Sequence, residues 1–145
     1  MTKSHVNFLL VEDDDTHAHL VMRSLKKARV TNRVFRVKDG LEAISFLHRE
    51  EKHADSPRPD VVLLDLKLPK MDGHEVLAEI KRDPDLRLIP VVIMTTSDAE
   101  SDRELAYEHH ANSYVVKPAD FDKLCKLVDD LSLYWSVWNE SPFGE

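Results

Sequence analysis

Four short apolar runs in this chain are each followed at once by residues able to do chemistry. Glu12 and Asp13 follow Val6–Val11 (VNFLLV), and Asp65 follows Val61–Leu64 (VVLL). The run that begins at Pro90 closes on Thr95-Thr96-Ser97, and Ser113–Val116 leads into Lys117-Pro118. Clustered carboxylates repel one another, and with a backbone carbonyl and water they suit a hard cation such as Mg2+. A carboxylate can also serve as a nucleophile. A hydroxyl can donate to a phosphoryl oxygen, and a lysine ammonium neutralises its charge as a point cation. Carboxylate, divalent cation, hydroxyl and lysine in one place make a phosphoryl-transfer site. Each feature alone has a plainer reading. Glu12–Asp15 can be an acidic helix start favoured by the helix dipole. Thr95-Thr96 can be a β-branched strand end, and Lys117 a solvated surface lysine. Their joint appearance at four strand ends favours the site.

The elements that must position these residues are legible as alternating short apolar and amphipathic stretches. Val6–Val11 reads as a buried strand, and Thr16–Ala28 as a helix with Leu20, Val21, Ser24, Leu25 and Ala28 on one face. Asp14 or Asp15 is its cap. Arg33–Val37 is a second strand, Asp39-Gly40 a turn, and Leu41–His48 a helix with Ile44 and Leu47 inward. The polar stretch Arg49–Pro59 is a surface loop. Val61–Leu64 has the unbroken apolar pattern of a central parallel strand covered on both faces. A helix over Gly73–Arg82 follows, with Val76, Leu77 and Ile80 as its stripe, then a strand over Pro90–Thr95. Ala99–His109 is a helix, Ser113–Val116 a strand and Phe121–Trp138 a long final helix. Five βα units imply a parallel sheet with helices on both faces. Sites in such sheets form at the carboxyl ends of the strands, where strand order reverses. If the first and third strands are neighbours, Glu12, Asp13 and Asp65 converge there.

Composition narrows the partners. The chain has 145 residues, 42% hydrophobic and 32% charged, the profile of one globular domain. Its net charge of -7 argues against a nucleic-acid or anionic-membrane binder and suits a cation site facing a partner with a basic patch. Its apolar runs are too short to span a bilayer, and Met1–His5 lacks the apolar core of a signal peptide. Cys125 is the one cysteine, so no internal disulfide is expected, and no Cys/His spacing suggests zinc. Those features point to a reducing cytoplasm. Three glycines and no glycine-rich phosphate loop disfavour nucleotide binding. The eight histidines are scattered, with none expected at the strand ends, and His109-His110 is expected to end a helix. Cys125, at helical spacing with Phe121 and Val128, is expected in the core or at an interface.

The motifs LLVEDD (Leu9–Asp14), LLDLKLPKMDG (Leu63–Gly73), PVVIMTTS (Pro90–Ser97) and YVVKP (Tyr114–Pro118) cover nearly the whole chain. In this order and spacing they resemble the response-regulator receiver domains of two-component signalling. The resemblance implies a flavodoxin-like (βα)5 doubly wound parallel sheet with strand order 2-1-3-4-5. It implies that Asp65 accepts a phosphoryl group from a histidine kinase, and that Glu12, Asp13, Asp65 and the backbone carbonyl of Lys67 bind Mg2+. It further implies that Thr95 and Lys117 contact the phosphoryl oxygens, that Thr95 and Tyr114 form the switch, and that the Lys117-Pro118 bond is cis. The chain would then be a switch rather than an enzyme, apart from its own phosphorylation and dephosphorylation. An aspartyl-phosphate phosphatase or hydrolase normally needs a second acid two residues after the nucleophile, and here that position is Lys67. A pure interaction scaffold is opposed by the intact set Asp13, Asp65, Thr95 and Lys117. The loop before Pro57, the segment Asp83–Pro90 and the Trp-bearing tail resemble, more narrowly, the single-domain regulators of phytochrome-type histidine kinases.

Residues 1–134 are expected to form the receiver domain and 135–145 an extension with no output domain. Phe121, Leu124, Cys125, Val128, Leu131, Trp135 and Trp138 make a stripe wider than one sheet face needs, with Leu127 and Tyr134 at its edge. Leu131, Tyr134, Trp135 and Trp138 are therefore expected at an interface, most simply a homodimer through the final helix. The other readings are docking of this tail on its own domain or on the kinase.

Overall fold

The computed structural model describes residues 5–27 and 31–143. Its strands are β1 (His5–Val11), β2 (Thr31–Val37), β3 (Val61–Leu64), β4 (Val91–Thr95) and β5 (Ser113–Val116). They form one parallel sheet in the order β2-β1-β3-β4-β5. Alternation along each strand sends successive side chains to opposite faces. Leu9, Val11, Leu64 and Ile93 enter one buried cluster with Phe46, Val76, Leu77 and Ile80. Phe8, Leu10, Leu63, Val92 and Met94 enter the other with Val21, Leu25, Leu124 and Val128. The helices supplying these partners are α1 (Asp15–Lys26) and α5 (Phe121–Leu133) on one face, and α2 (Gly40–Leu47) and α3 (Gly73–Arg82) on the other. Ala28, expected on the inner face of α1, lies outside the described residues.

Four helices start on an aspartate whose side chain accepts from a first-turn amide: Asp14 from His17, Asp39 from Glu42, Asp72 from Glu75 and Asp120 from Lys123. Such caps satisfy amides that have no partner within the helix, each worth about 1 kcal/mol. The remaining helix, α4 (Glu100–Glu108), begins after Ala99 with no side-chain cap and buries only Ala106. Of the five α-helices among the described residues, it buries the fewest residues.

Two glycines sit where another backbone passes. A Cβ on Gly40 would lie 1.9 Å from the Met71 carbonyl oxygen, and one on Gly73 would lie 2.3 Å from that of Asp65. Backbone bonds run alongside: Gly40 N–H donates to Pro69 O (3.4 Å) and Gly73 N–H to Leu66 O (2.8 Å).

The end of the chain departs from the expected straight helix. α5 stops at Leu133 and a π-helical turn, Tyr134–Trp138, follows, with Asn139 N–H donating to Tyr134 O (2.7 Å). Trp135 packs against the cluster under α1 and α5, edge-on to Tyr134. Trp135, expected at an interface, is half-buried on its own domain, whereas Trp138 is 71% exposed. Ser136 Oγ donates to Asn32 Oδ1 (3.0 Å), and Phe143 docks on the opposite cluster with the Arg58 guanidinium 4.1 Å from its ring centre. The Lys117-Pro118 bond is trans, as is every other peptide among the described residues. Only about 0.5–1 kcal/mol separates the isomers of an X–Pro bond, so the dipeptide alone does not dictate cis.

Candidate functional site

The sheet ladder continues one step past the strand ends and so fixes the reactive residues. Glu12 N–H donates to Val37 O (3.1 Å), Asp65 N–H to Val11 O (3.1 Å) and Lys117 N–H to Thr95 O (2.7 Å). Glu12, Asp13 and Asp65 each present a carboxylate oxygen within 4.8 Å of the others. Glu12 is buried, Asp65 half-buried and Asp13 exposed. The Arg36 guanidinium donates twice to Glu12 O (3.0 and 2.9 Å) and pairs with Asp15 (2.8 Å), bracing this corner from the neighbouring strand. Lys67 N–H donates to Asp65 Oδ1 (3.3 Å), which brings the Lys67 backbone to the rim of the pocket.

Lys117 enters from the other side, its side chain 1% exposed. Its ammonium donates to Glu12 Oε1, to Asp65 Oδ2 (3.2 Å) and to His17 Nδ1 (3.2 Å). Burial pushes the Glu12 carboxyl above its ordinary range, the Lys117 hydrogen bond and charge pull it down, and the Asp65 charge pushes it up again. Such a buried anionic corner gains from further positive charge. All the acidic donors are oxygens, the set that suits a hard divalent cation.

Thr95 is buried, and its Oγ1 accepts from Ser97 N–H (3.3 Å). Tyr114, half-buried at β5, donates its hydroxyl to Ser97 O (2.9 Å). Ser97 Oγ donates to Asp102 Oδ2 (2.6 Å), and His74 Nε2 on α3 donates to Asp102 Oδ1 (3.0 Å). Ser97 is therefore the knot that joins Thr95, Tyr114, α4 and α3.

The structure thus brings together Glu12, Asp13, Asp65, Lys67 and Lys117, and places Thr95 and Tyr114 one loop away, both bound to Ser97. Sequence reasoning missed His17, having expected no histidine at the strand ends. The available signal was its place three residues after the capping Asp14, in the first turn of α1. Arg36, Asp102 and His74 were also missed, and Ser97, read only as a strand-end hydroxyl, was not given its linking role.

Comparison with known proteins agrees with this geometry. Residues 8–129 match the model of the response regulator receiver domain. The chain belongs to the response regulator receiver family. It is a receiver in phosphorelay signal transduction. It is 47% identical over 134 residues to the probable methanogenesis regulatory protein FilR2 of Methanothrix harundinacea, covering 92% of this chain and 86% of that one. It is 45% identical over 127 residues to the response regulator Rcp1 of Synechocystis sp., covering 88% and 86%. The Mn(2+)-bound crystal structure of Rcp1 superposes with a TM-score of 0.92, covering 95% of this receiver and 99% of that chain. The phosphorylated cyanobacterial phytochrome response regulator RcpA superposes with a TM-score of 0.93 at 41% identity, covering 96% and 99%. No helix among the described residues of this receiver is long and apolar enough to cross a membrane.

Proposed function

We propose that this receiver accepts a phosphoryl group on Asp65 from the phosphohistidine of a histidine kinase and signals by a change of shape. The observation that carries this reading is the meeting of Glu12, Asp13 and Asp65 with the buried Lys117 ammonium at the carboxyl end of the sheet. An Asp65 oxygen attacks phosphorus, the bond to the kinase imidazole breaks, and its electron pair returns to that nitrogen. Lys117 and Thr95 receive the phosphoryl oxygens. Glu12, Asp13, Asp65 and the Lys67 carbonyl hold Mg2+, which when bound neutralises the clustered acids and the charge gathering on those oxygens. Likeness to RcpA favours a phytochrome-type kinase. The compartment we propose is the cytoplasm.

The resting contacts suggest how the signal leaves the pocket. Phosphorylation replaces the single negative charge of the Asp65 carboxylate by a phosphoryl group carrying roughly one and a half to two. Thr95 turns from Ser97 toward the phosphoryl oxygens, and Tyr114 fills the space it leaves. Uncapped and with only Ala106 buried, α4 yields first.

Residues 1–134 act as the receiver and 135–145 as its extension. Tyr134, Val137 and Trp138 are half or more exposed or nearly so, at 50%, 48% and 71%, and form a patch suited to a two-fold contact between copies. Leu131 and Trp135 support that patch from beneath, packed on their own core.

The deciding experiment is intact mass after incubation with a small acyl-phosphate donor and Mg2+. One labile phosphoryl group on wild type and none on Asp65→Asn is expected; equal labelling of the variant rejects the assignment. Sedimentation at micromolar concentration tests the dimer: wild type sediments as a dimer and Trp138→Ala as a monomer. A monomeric wild type, phosphorylated or not, rejects that contact.

A further inference from the structure

The pocket contains one side chain to which phosphoryl transfer on Asp65 assigns no task. His17 stands in the first turn of α1, held there by its own backbone N–H, which donates to the capping Asp14 (2.9 Å). Its Nδ1 lies 3.2 Å from Lys117 Nζ. An ammonium has three donors and no acceptor, so Nδ1 must be the acceptor and the ring proton must sit on Nε2. The three protons of Lys117 then have three acceptors on three separate elements: Glu12 after β1, Asp65 after β3 and His17 on α1. With the lysine side chain 1% exposed, water is a poor substitute for any of them.

Two acceptors leave an ammonium free to swing about the line that joins them; a third fixes it. We propose that His17 is a positioning residue for phosphoryl transfer, its Nδ1 taking the third proton of Lys117 and holding Nζ where the incoming phosphoryl oxygens arrive. This inference rests on Asp65 as the phosphoacceptor. When Asp65 is phosphorylated, the donor now on its Oδ2 turns to a phosphoryl oxygen. The bonds to Glu12 and His17 keep the ammonium in place meanwhile. No bond to His17 forms or breaks, and its proton stays on Nε2. Without an acceptor at position 17, the ammonium settles between the two carboxylates and covers the Asp65 oxygen that must attack.

The test compares His17→Leu and His17→Asn with wild type. Asparagine can present an amide oxygen near the place of Nδ1, whereas leucine keeps bulk and offers no acceptor. Two quantities are read: the labelling rate at saturating acyl phosphate and Mg2+, and the 1H–15N signal of the Lys117 ammonium in unphosphorylated protein. Leucine is expected to slow labelling about tenfold and move the ammonium signal, and asparagine to restore most of both. Leucine at the wild-type rate with an unmoved signal overturns the proposal. So does asparagine as slow as leucine, which would mean the ring acts by its shape. A wild type that takes no phosphoryl group removes the Asp65 reading and this role with it, and a moved ammonium signal then identifies Asp65, not the His17 contact, as the faulty step. Matching circular dichroism and melting curves for the three proteins exclude misfolding as the cause of slow labelling.

Discussion

Replacing Gly73 with alanine should damage both the fold and the chemistry, because the added methyl group meets backbone. Its Cβ would lie 2.3 Å from Asp65 O, 2.5 Å from Leu66 Cα and 3.0 Å from Asp65 C. Ordinary contact needs about 3.5 Å, so a gap of roughly 1 Å must open between the start of α3 and the loop that carries Asp65. Neither side gives easily. Gly73 N–H is bonded to Leu66 O at 2.8 Å, and α3 is anchored by buried Val76, Leu77 and Ile80. Overpacking of this kind costs about 1–3 kcal/mol, against at most about 1 kcal/mol gained from the better helix propensity of alanine. A net loss of about 1–2 kcal/mol lowers the melting temperature of a chain of this length by about 2–8 °C. Misplacing a nucleophile by about 1 Å can cost on the order of a hundredfold in rate. Thermal unfolding followed by circular dichroism, and the labelling rate with acyl phosphate, measure the two effects. A variant as stable as wild type that labels at the wild-type rate would show that the loop moves freely, and the steric reasoning would fail.

Chelation of divalent metal should abolish labelling, and Asp13→Ala should reduce it at least tenfold while leaving the melting temperature within a degree or so, since Asp13 is exposed; undiminished labelling in excess chelator would count against the cation site. Asp102→Ala cuts the tie between Ser97 and His74 and should speed labelling severalfold by loosening the resting loop; a slower variant would mean that the tie favours the phosphorylated form instead. The Asp102 carboxyl is held below its ordinary range, first by the Ser97 hydroxyl and then by His74. Its contribution to stability is therefore present above pH about 4 and fades as pH falls below that value, so Asp102→Asn should flatten the acid side of a stability–pH profile. Removing residues 139–145 uncovers the seat of Phe143 and should lower stability by about 1–3 kcal/mol, measured by urea unfolding; no change would mean that the Arg58–Phe143 contact is idle.

The bounds of β3, α3 and β5 could be read from the sequence to the residue, because each apolar run there is closed by turn or charged residues. The acidic cluster was legible for the same reason: parallel strands deliver whatever follows them to one edge. What stayed hidden depends on contacts between distant segments. Whether His17 faces Lys117 depends on the rotation of α1, which the capping Asp14 sets and which periodicity does not reveal. Arg36 lies in a strand that alternates with charges, so its reach to Glu12 O looked like solvation. His74 and Asp102 are 28 residues apart and meet only through the packing of α3 beside α4. The π turn over Tyr134–Trp138 breaks the helical repeat, so Trp135 stays on the stripe with Val128 and Leu131 while Trp138 leaves it, which no stripe analysis anticipates.

The two walls of the acid pocket are built of different material. On the side of α2, the Met71 carbonyl passes so close to Gly40 that no side chain fits between them, so main chain rests on main chain there. On the side of β4 and β5, the loop is tied by hydroxyl and carboxylate groups that can exchange partners without moving a strand. A load applied at Asp65 therefore meets a stiff abutment on one side and a compliant one on the other. In the switch proposed above, displacement goes toward Tyr114 and α4, and the place of the glycines sets the direction of the message before any partner is chosen.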